Sequence, residues 1–151
     1  MKDLIIQRKS KKILIIVNDI TRPTPYEIIL PPLLEELHQI GVKKKNIIFI
    51  ITTGSHRCNS KKEIEDVFGE NISSFYKFIN HSCDDIDLKD FGQLKSGNTL
   101  LVNPIVSEVD FIITTVVIVP HYIAGFSGGS KSIIPGFCGW KTIEKHPSNM
   151  L

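Results

Sequence analysis

Several stretches of this chain set side chains able to do proton, charge or covalent chemistry beside glycine and proline turns. In Asn18-Asp-Ile-Thr-Arg-Pro-Thr-Pro25, Asp19 precedes Arg22 by three residues. A guanidinium there can grip a carboxylate through two parallel hydrogen bonds. The same residues also read more plainly, with Asp19 pairing with Arg22 or capping a turn while Pro23 and Pro25 stiffen the chain. Thr52-Thr-Gly-Ser-His-Arg57 carries His56 in a tight glycine turn. An imidazole facing a cleft from such a turn titrates near neutral pH and can move protons; an exposed loop histidine is the competing reading.

Val119-Pro-His121 runs on into Gly125-Phe-Ser-Gly-Gly-Ser-Lys-Ser132. This nearly spells a phosphate-binding loop, but Ser130 stands where that motif requires glycine, which argues against a nucleotide triphosphatase. What survives is physical: successive small residues can turn backbone N–H groups toward a phosphate, and Lys131 can supply charge or act covalently. A flexible glycine turn carrying a surface lysine is the alternative. His146, after Trp140-Lys-Thr-Ile-Glu-Lys145, is a lone histidine of a kind more often solvated than metal-bound. His38 in an amphipathic helix and His81 in a polar turn receive no role.

The elements that must position these residues alternate in type. Ile13–Val17 and Asn46–Ile51 are apolar, β-branched runs suited to strands buried on both faces of a parallel sheet. Between them, Ile29, Leu33, Leu34, Leu37 and Ile40 follow helical spacing from Tyr26 to Ile40, with Gly41 placed to end the helix. Pro31 and Pro32 predict a kink or a late start. Ser60 can cap a helix through Phe68. Phe75–Asn80, Thr99–Val102 and Asp110–Val119 are further strand candidates, Gly97-Asn98 marks a turn, and a helical stretch runs from about Trp140 to His146. This alternation predicts an α/β fold: a Rossmann-like, mostly parallel sheet with helices on both faces. Ligands of such sheets bind beyond the carboxyl ends of the strands. The loops 18–25, 52–59 and 120–135 are then the places for chemistry, and His56, His121, Arg22 and Lys131 should open onto one edge.

Length and composition narrow the function. The 151 residues form a single α/β domain, too short for two of ordinary size. The 18 basic and 16 acidic residues are mixed along the chain and leave a net charge of only +2, so no field favours nucleic acid. Arg8–Lys12 and Lys43–Lys45 flank apolar runs as solvated strand ends. Cys58, Cys83 and Cys138 form no C-x-x-C pair, so neither a disulfide framework nor a structural zinc site is indicated, and a reducing cytoplasm fits. No apolar run reaches membrane-spanning length, and no export signal is read at the N-terminus.

Taken together, Asp19-x-Thr-Arg-Pro23, Thr53-Gly-x-His-Arg57, Pro120-His121, the run Ala124–Gly136 and Lys141-Thr-Ile through His146 resemble, in order and separation, the motifs of the nickel-dependent lactate racemase family. The resemblance covers roughly Ile13 to Met150, and its glycine-rich run is the most specific part. It implies a 2-hydroxy acid racemase or epimerase, an isomerase that uses a nickel-pincer nucleotide (nickel pyridinium-3,5-bisthiocarboxylic acid mononucleotide) and passes hydride between substrate carbon and cofactor. It further implies that Lys131 tethers the cofactor with Gly128 and Gly129 against it, and that His146 is a nickel ligand. His56 and His121 would be the paired acid/base groups, with Arg22 on the substrate carboxylate and Asp19 positioning the site. Cys58 stands where the family usually has proline, and Thr115–Val119 lacks the small and acidic residues often found before Pro-His; both departures bear on substrate identity.

Family members are longer, so the resemblance implies a domain cut short at both ends. A missing C-terminal domain or split partner would supply the second wall of the cleft. A non-catalytic cofactor- or phosphate-binding module, as a gene fragment, is the alternative. An unrelated nucleotide-binding domain is a third reading, which Ser130 opposes.

Overall fold

A computed structural model describes residues 1–121 and 125–144, apart from the side chains of His121 and Ser130. Its centre is the strand β1 (Ile13–Asn18), in which five consecutive residues, Ile13 to Val17, are fully buried. Such a strand must be covered on both faces and flanked on both edges. β2 (Ile47–Thr52) and β6 (Phe111–Thr114) pair with it in parallel, and β3 (Lys77–Asn80) pairs in parallel with β2, giving the order β3-β2-β1-β6. The expected α/β sheet is therefore all parallel in this part of the chain.

The two faces are closed differently. Ile13, Ile15 and Val17 pack with Phe49 and Ile51 against Ile5 of α1 (Lys2–Gln7), Tyr26, Leu30, Leu34 and Leu37 of α2 (Tyr26–Gln39) and Phe68 of α3 (Lys61–Phe68). Burying each such side chain contributes about 1.5–3 kcal/mol. Leu14, Ile16 and Ile50 face the other way, onto Val102, Ile105, Phe137, Cys138 and Ile143. That side is covered mainly by a 3₁₀ turn at Pro104–Glu108, the end of the glycine-rich run and the five-residue α5 (Trp140–Glu144).

Several elements depart from the sequence expectations for physical reasons. α2 starts at Tyr26 and continues through Pro31 and Pro32. Each proline removes one helical N–H, but the carbonyls so released, on Glu27 and Ile28, belong to exposed residues and can be met by water. Ser60 does cap α3: its hydroxyl accepts from the Glu63 N–H while Glu63 reaches back to the Ser60 N–H. A short helix α4 (Glu70–Phe75) occupies the start of the run expected as strand, so β3 begins only at Lys77.

Thr99–Val102 is a strand, but it is β5 of a separate antiparallel ribbon with β4 (Lys89–Gln93). β4 escapes sequence reading because all five of its residues are exposed and no apolar alternation marks it. Within Asp110–Val119 only Phe111–Thr114 joins the sheet. Past Thr115, whose N–H and hydroxyl both donate to the Ile16 carbonyl, the chain leaves the sheet although β1 runs on to Asn18. It instead meets its own return: β7 (Pro120–His121) pairs with β8 (Gly125–Phe126), and the Ser127 N–H donates to Val119. No helix among the described residues is long and apolar enough to cross a membrane.

The chain proceeds from β1 outward to β2 and β3, then returns to the opposite flank of β1 as β6. The direction reverses at β1, and in open parallel sheets such a reversal leaves a crevice beyond the strand ends. Because Asn18 is level with Thr52, the loops after β1 and β2 leave from the same edge.

The α3 cap gives a direct check on this local account. Ser60→Ala should lower the unfolding free energy by about 1 kcal/mol in urea titrations, with Ser60→Thr retaining most of it.

Candidate active site

The loop after β1 is fixed by its own side chains. The Asn18 N–H donates to the Tyr26 hydroxyl at 2.5 Å, and Asn18 Nδ2 donates to Thr24 Oγ1 at 3.0 Å. Tyr26 is fully buried, and burial pushes its hydroxyl up to about 12, so it stays a neutral phenol. These bonds fold residues 19–25 back onto the first turn of α2.

Within that loop Asp19 is only 3% exposed. Its Oδ1 accepts from the Thr21 hydroxyl at 2.6 Å and from the Thr21 N–H at 3.2 Å, which closes a turn. Its Oδ2 lies 2.6 Å from Nδ1 of His56. A carboxylate can only accept, so Nδ1 carries the proton and a neutral His56 leaves Nε2 free to take another. The imidazole is 49% exposed, open to a partner in the cleft. Asp19 thus caps a turn as anticipated, but its ionic partner is His56. Among the described residues Arg22 forms no ion pair, and its side chain lines the same cleft.

The second loop is tied at both ends. The His56 N–H donates to Thr53, and Thr53 Oγ1 donates to the carbonyl of His81 at 2.7 Å. Arg57 makes a two-pronged bond to Glu63, at 2.6 and 2.9 Å, which anchors the loop to the start of α3. Arg57, helped by the Ser60 N–H, holds the Glu63 carboxyl down at about 2. The Gly54 N–H donates to the Gly136 carbonyl, joining this loop to the glycine-rich run.

That run approaches its neighbours too closely for side chains. Gly128 has φ +75°, and a Cβ there would meet the Val117 carbonyl at 2.7 Å. A Cβ on Gly136 would fall 2.1 Å from the Ser132 carbonyl. The chain is thereby pressed flat against residues 117–118 and folded into the 3₁₀ turn Gly129–Ser132 that carries Lys131. Burial, and then the nearby Arg22 charge, lower the Lys131 amine from its ordinary value. Gly129, at φ +54°, would meet nothing with a Cβ.

Asp19, Arg22, His56, Gly128 and Lys131 therefore border one cleft of about 270 Å³, completed by Trp140 and Ile143. Its volume falls just under the usual range for ligand sites. His121 has its main chain in β7, and its side chain lies outside the description. His146 lies outside the described residues.

Over residues 3–151 the sequence matches the lactate racemase N-terminal domain. The chain belongs to that family. Lactate racemase of Lactiplantibacillus plantarum is 37% identical over 144 residues, which cover 95% of this chain and 34% of the relative. Lactate racemase of Thermoanaerobacterium thermosaccharolyticum is 39% identical over 135 residues, 89% of this chain and 32% of the relative. The chain thus spans about a third of the length of these curated relatives. The lactate racemase apoprotein structure from T. thermosaccharolyticum superposes with a TM-score of 0.83 at 38% identity, over 89% of this chain and 32% of that one. A Thermotoga maritima protein does so at 0.77 and 25% identity, over 95% and 38%. Membership in the lactate racemase family sets aside an unrelated nucleotide-binding domain.

Sequence reasoning passed over Thr21, Thr53 and His81 in this lactate racemase domain. Thr21 and Thr53 sat inside motifs already quoted, but nothing in their spacing announced their partners. His81 is fully buried, not in an open polar turn. Its Nε2 lies 3.0 Å from the Cys138 carbonyl and must donate to it, so it links the end of β3 to the glycine-rich run.

Burial lowers the proton affinity of His81 below its ordinary 6.5. The unfolded chain therefore binds more protons than the folded one just below that pH, and stability should fall as pH drops through 6.5, levelling below the folded value. Urea titrations of the wild type and of His81→Gln, whose Nε2 can mimic the donor, test this. The wild type should lose more stability on acidification; equal slopes would show that His81 titrates alike in both states.

Proposed function

We propose that this chain is the cofactor- and base-bearing part of a lactate racemase-like enzyme acting on a small 2-hydroxy acid. The observation that carries the reading is the 2.6 Å bond between Asp19 and His56 in a cleft shared with Arg22 and Lys131. Arg22, with no ionic partner among the described residues, grips the substrate carboxylate. Asp19 fixes the His56 tautomer, so that Nε2 takes the proton of the substrate hydroxyl and later returns it. His121 does the same for the other enantiomer, because two bases on opposite sides are needed for substrates of either hand.

The nucleotide fits the residues present. Gly128 and Gly129 offer a wall without side chains, and the lowered proton affinity of Lys131 favours the free amine that a covalent tether needs. Lys131 would hold the nickel-pincer nucleotide and His146 would supply a nitrogen to nickel. When bound, that group supplies the acceptor and donor of the hydrogen on substrate carbon. The remaining wall comes from a C-terminal domain or split partner, and all three cysteines are free, in keeping with a cytoplasmic protein. A module that carries the cofactor or a phosphate without turnover is the second reading, supported by the turn of small residues that carries Lys131 beside Gly128.

Intact-mass spectrometry tests the assignment. Made beside the cofactor's biosynthetic enzymes with nickel supplied, the chain should carry an adduct that Lys131→Ala abolishes. A bare wild-type mass under those conditions would remove the cofactor from this chain.

A further inference from the structure

The Asp19–His56 pair poses a geometric problem that its two members do not solve. A carboxylate on a short stem turns easily about its last torsion, whose preferences are broad. His56 is half-exposed, and among the described residues the other side-chain group near its Nδ1 is the Thr21 hydroxyl, at 3.4 Å. Something must stop the carboxylate from turning away from the ring.

We propose that Thr21 is the positioning residue of the acid/base pair: its hydroxyl pins Oδ1 of Asp19 so that Oδ2 is presented to Nδ1 of His56. This rests on the reading of His56 as an acid/base group, and the resemblance assigned Thr21 no role. The hydroxyl has one hydrogen, and Nδ1, which carries its own proton toward Oδ2, cannot accept it. At 2.6 Å from Oδ1, against 3.4 Å from Nδ1, that hydrogen goes to the carboxylate. The Thr21 N–H reinforces it at the same oxygen, at the longer distance of 3.2 Å.

Oδ1 is thus held from one residue and Oδ2 is left for the ring, which lies 2.6 Å away. The consequence is a fixed tautomer. With Nδ1 committed as donor, Nε2 is the base facing the cleft. Without the hydroxyl, Oδ1 keeps one N–H, at 3.2 Å. Asp19 can then turn, and the ring proton is no longer confined to Nδ1.

The test reads the ring directly in the 151-residue chain, by nitrogen-15 and proton spectra of ring-labelled histidine at alkaline pH, where the ring carries one proton. The wild type should show a far-downfield Nδ1–H proton and an unprotonated Nε2. Thr21→Val, which keeps the shape and the N–H but removes the hydroxyl, should lose the downfield proton and shift both nitrogens toward mixed tautomers. Thr21→Ser should restore the wild-type pattern. If the valine variant does not fold, Thr21→Ala is read the same way.

A wild-type pattern in the variant lacking the hydroxyl would overturn the proposal. So would loss of the pattern in the serine variant, which would assign the effect to the methyl group's packing. Asp19→Ala separates the levels: persistence of the downfield proton there would mean that the Asp19–His56 pair itself is wrong. The readout uses neither substrate nor cofactor, so the fate of Thr21 is decided independently of whether the domain racemises anything.

Discussion

A carboxylate that is 3% exposed is the constraint around which this molecule is arranged. Removing such a charge from water costs several kcal/mol unless donors replace the lost hydration. Asp19 has its donors within two loops: both groups of Thr21, and the ring of His56 from the loop after the neighbouring strand. The pairing requires β1 and β2 to end level, and the register of Asn18 with Thr52 provides this. It also requires the first loop to fold back, which the bonds from Asn18 to Tyr26 and Thr24 enforce. The glycine-rich run then closes over the same edge, because the Gly54 N–H meets Gly136 and Gly128, with no side chain of its own, packs against residues 117–118.

Much of this scaffold is legible in the sequence because it depends on local pattern. The apolar β-branched runs of β1 and β2, the spacing of Leu34 and Leu37 in α2, and Ser60 with Glu63 at the start of α3 each declare their element within a few residues. The direction of the sheet followed from the alternation of strands and helices, and with it the edge on which Arg22, His56 and Lys131 open. The motifs around those residues carried the family.

What was hidden depends on partners distant in the chain. Asp19 stands three residues from Arg22 and 37 from His56, and proximity in sequence favoured the wrong ion pair. β4 is exposed throughout and owes its strand form to β5, so no periodicity marks it. His81 looked like a turn residue among polar neighbours, yet Phe137 and Cys138 fold over that end of the sheet and bury it. Asp110–Val119 reads as one long strand because apolar pattern says nothing of where a chain parts from its neighbour in the sheet. In each case the deciding contact is tertiary.

His56, fixed at Nδ1 by Asp19, is proposed to work through Nε2 on an oxygen of the substrate and never on its carbon. Lactate deuterated at C2, given to the cofactor-loaded protein, tests that most directly. Racemised product that keeps most of its label is the result predicted, since hydrogen leaving carbon does not pass through an imidazole that exchanges with water. Rapid washout of the label into solvent would contradict it.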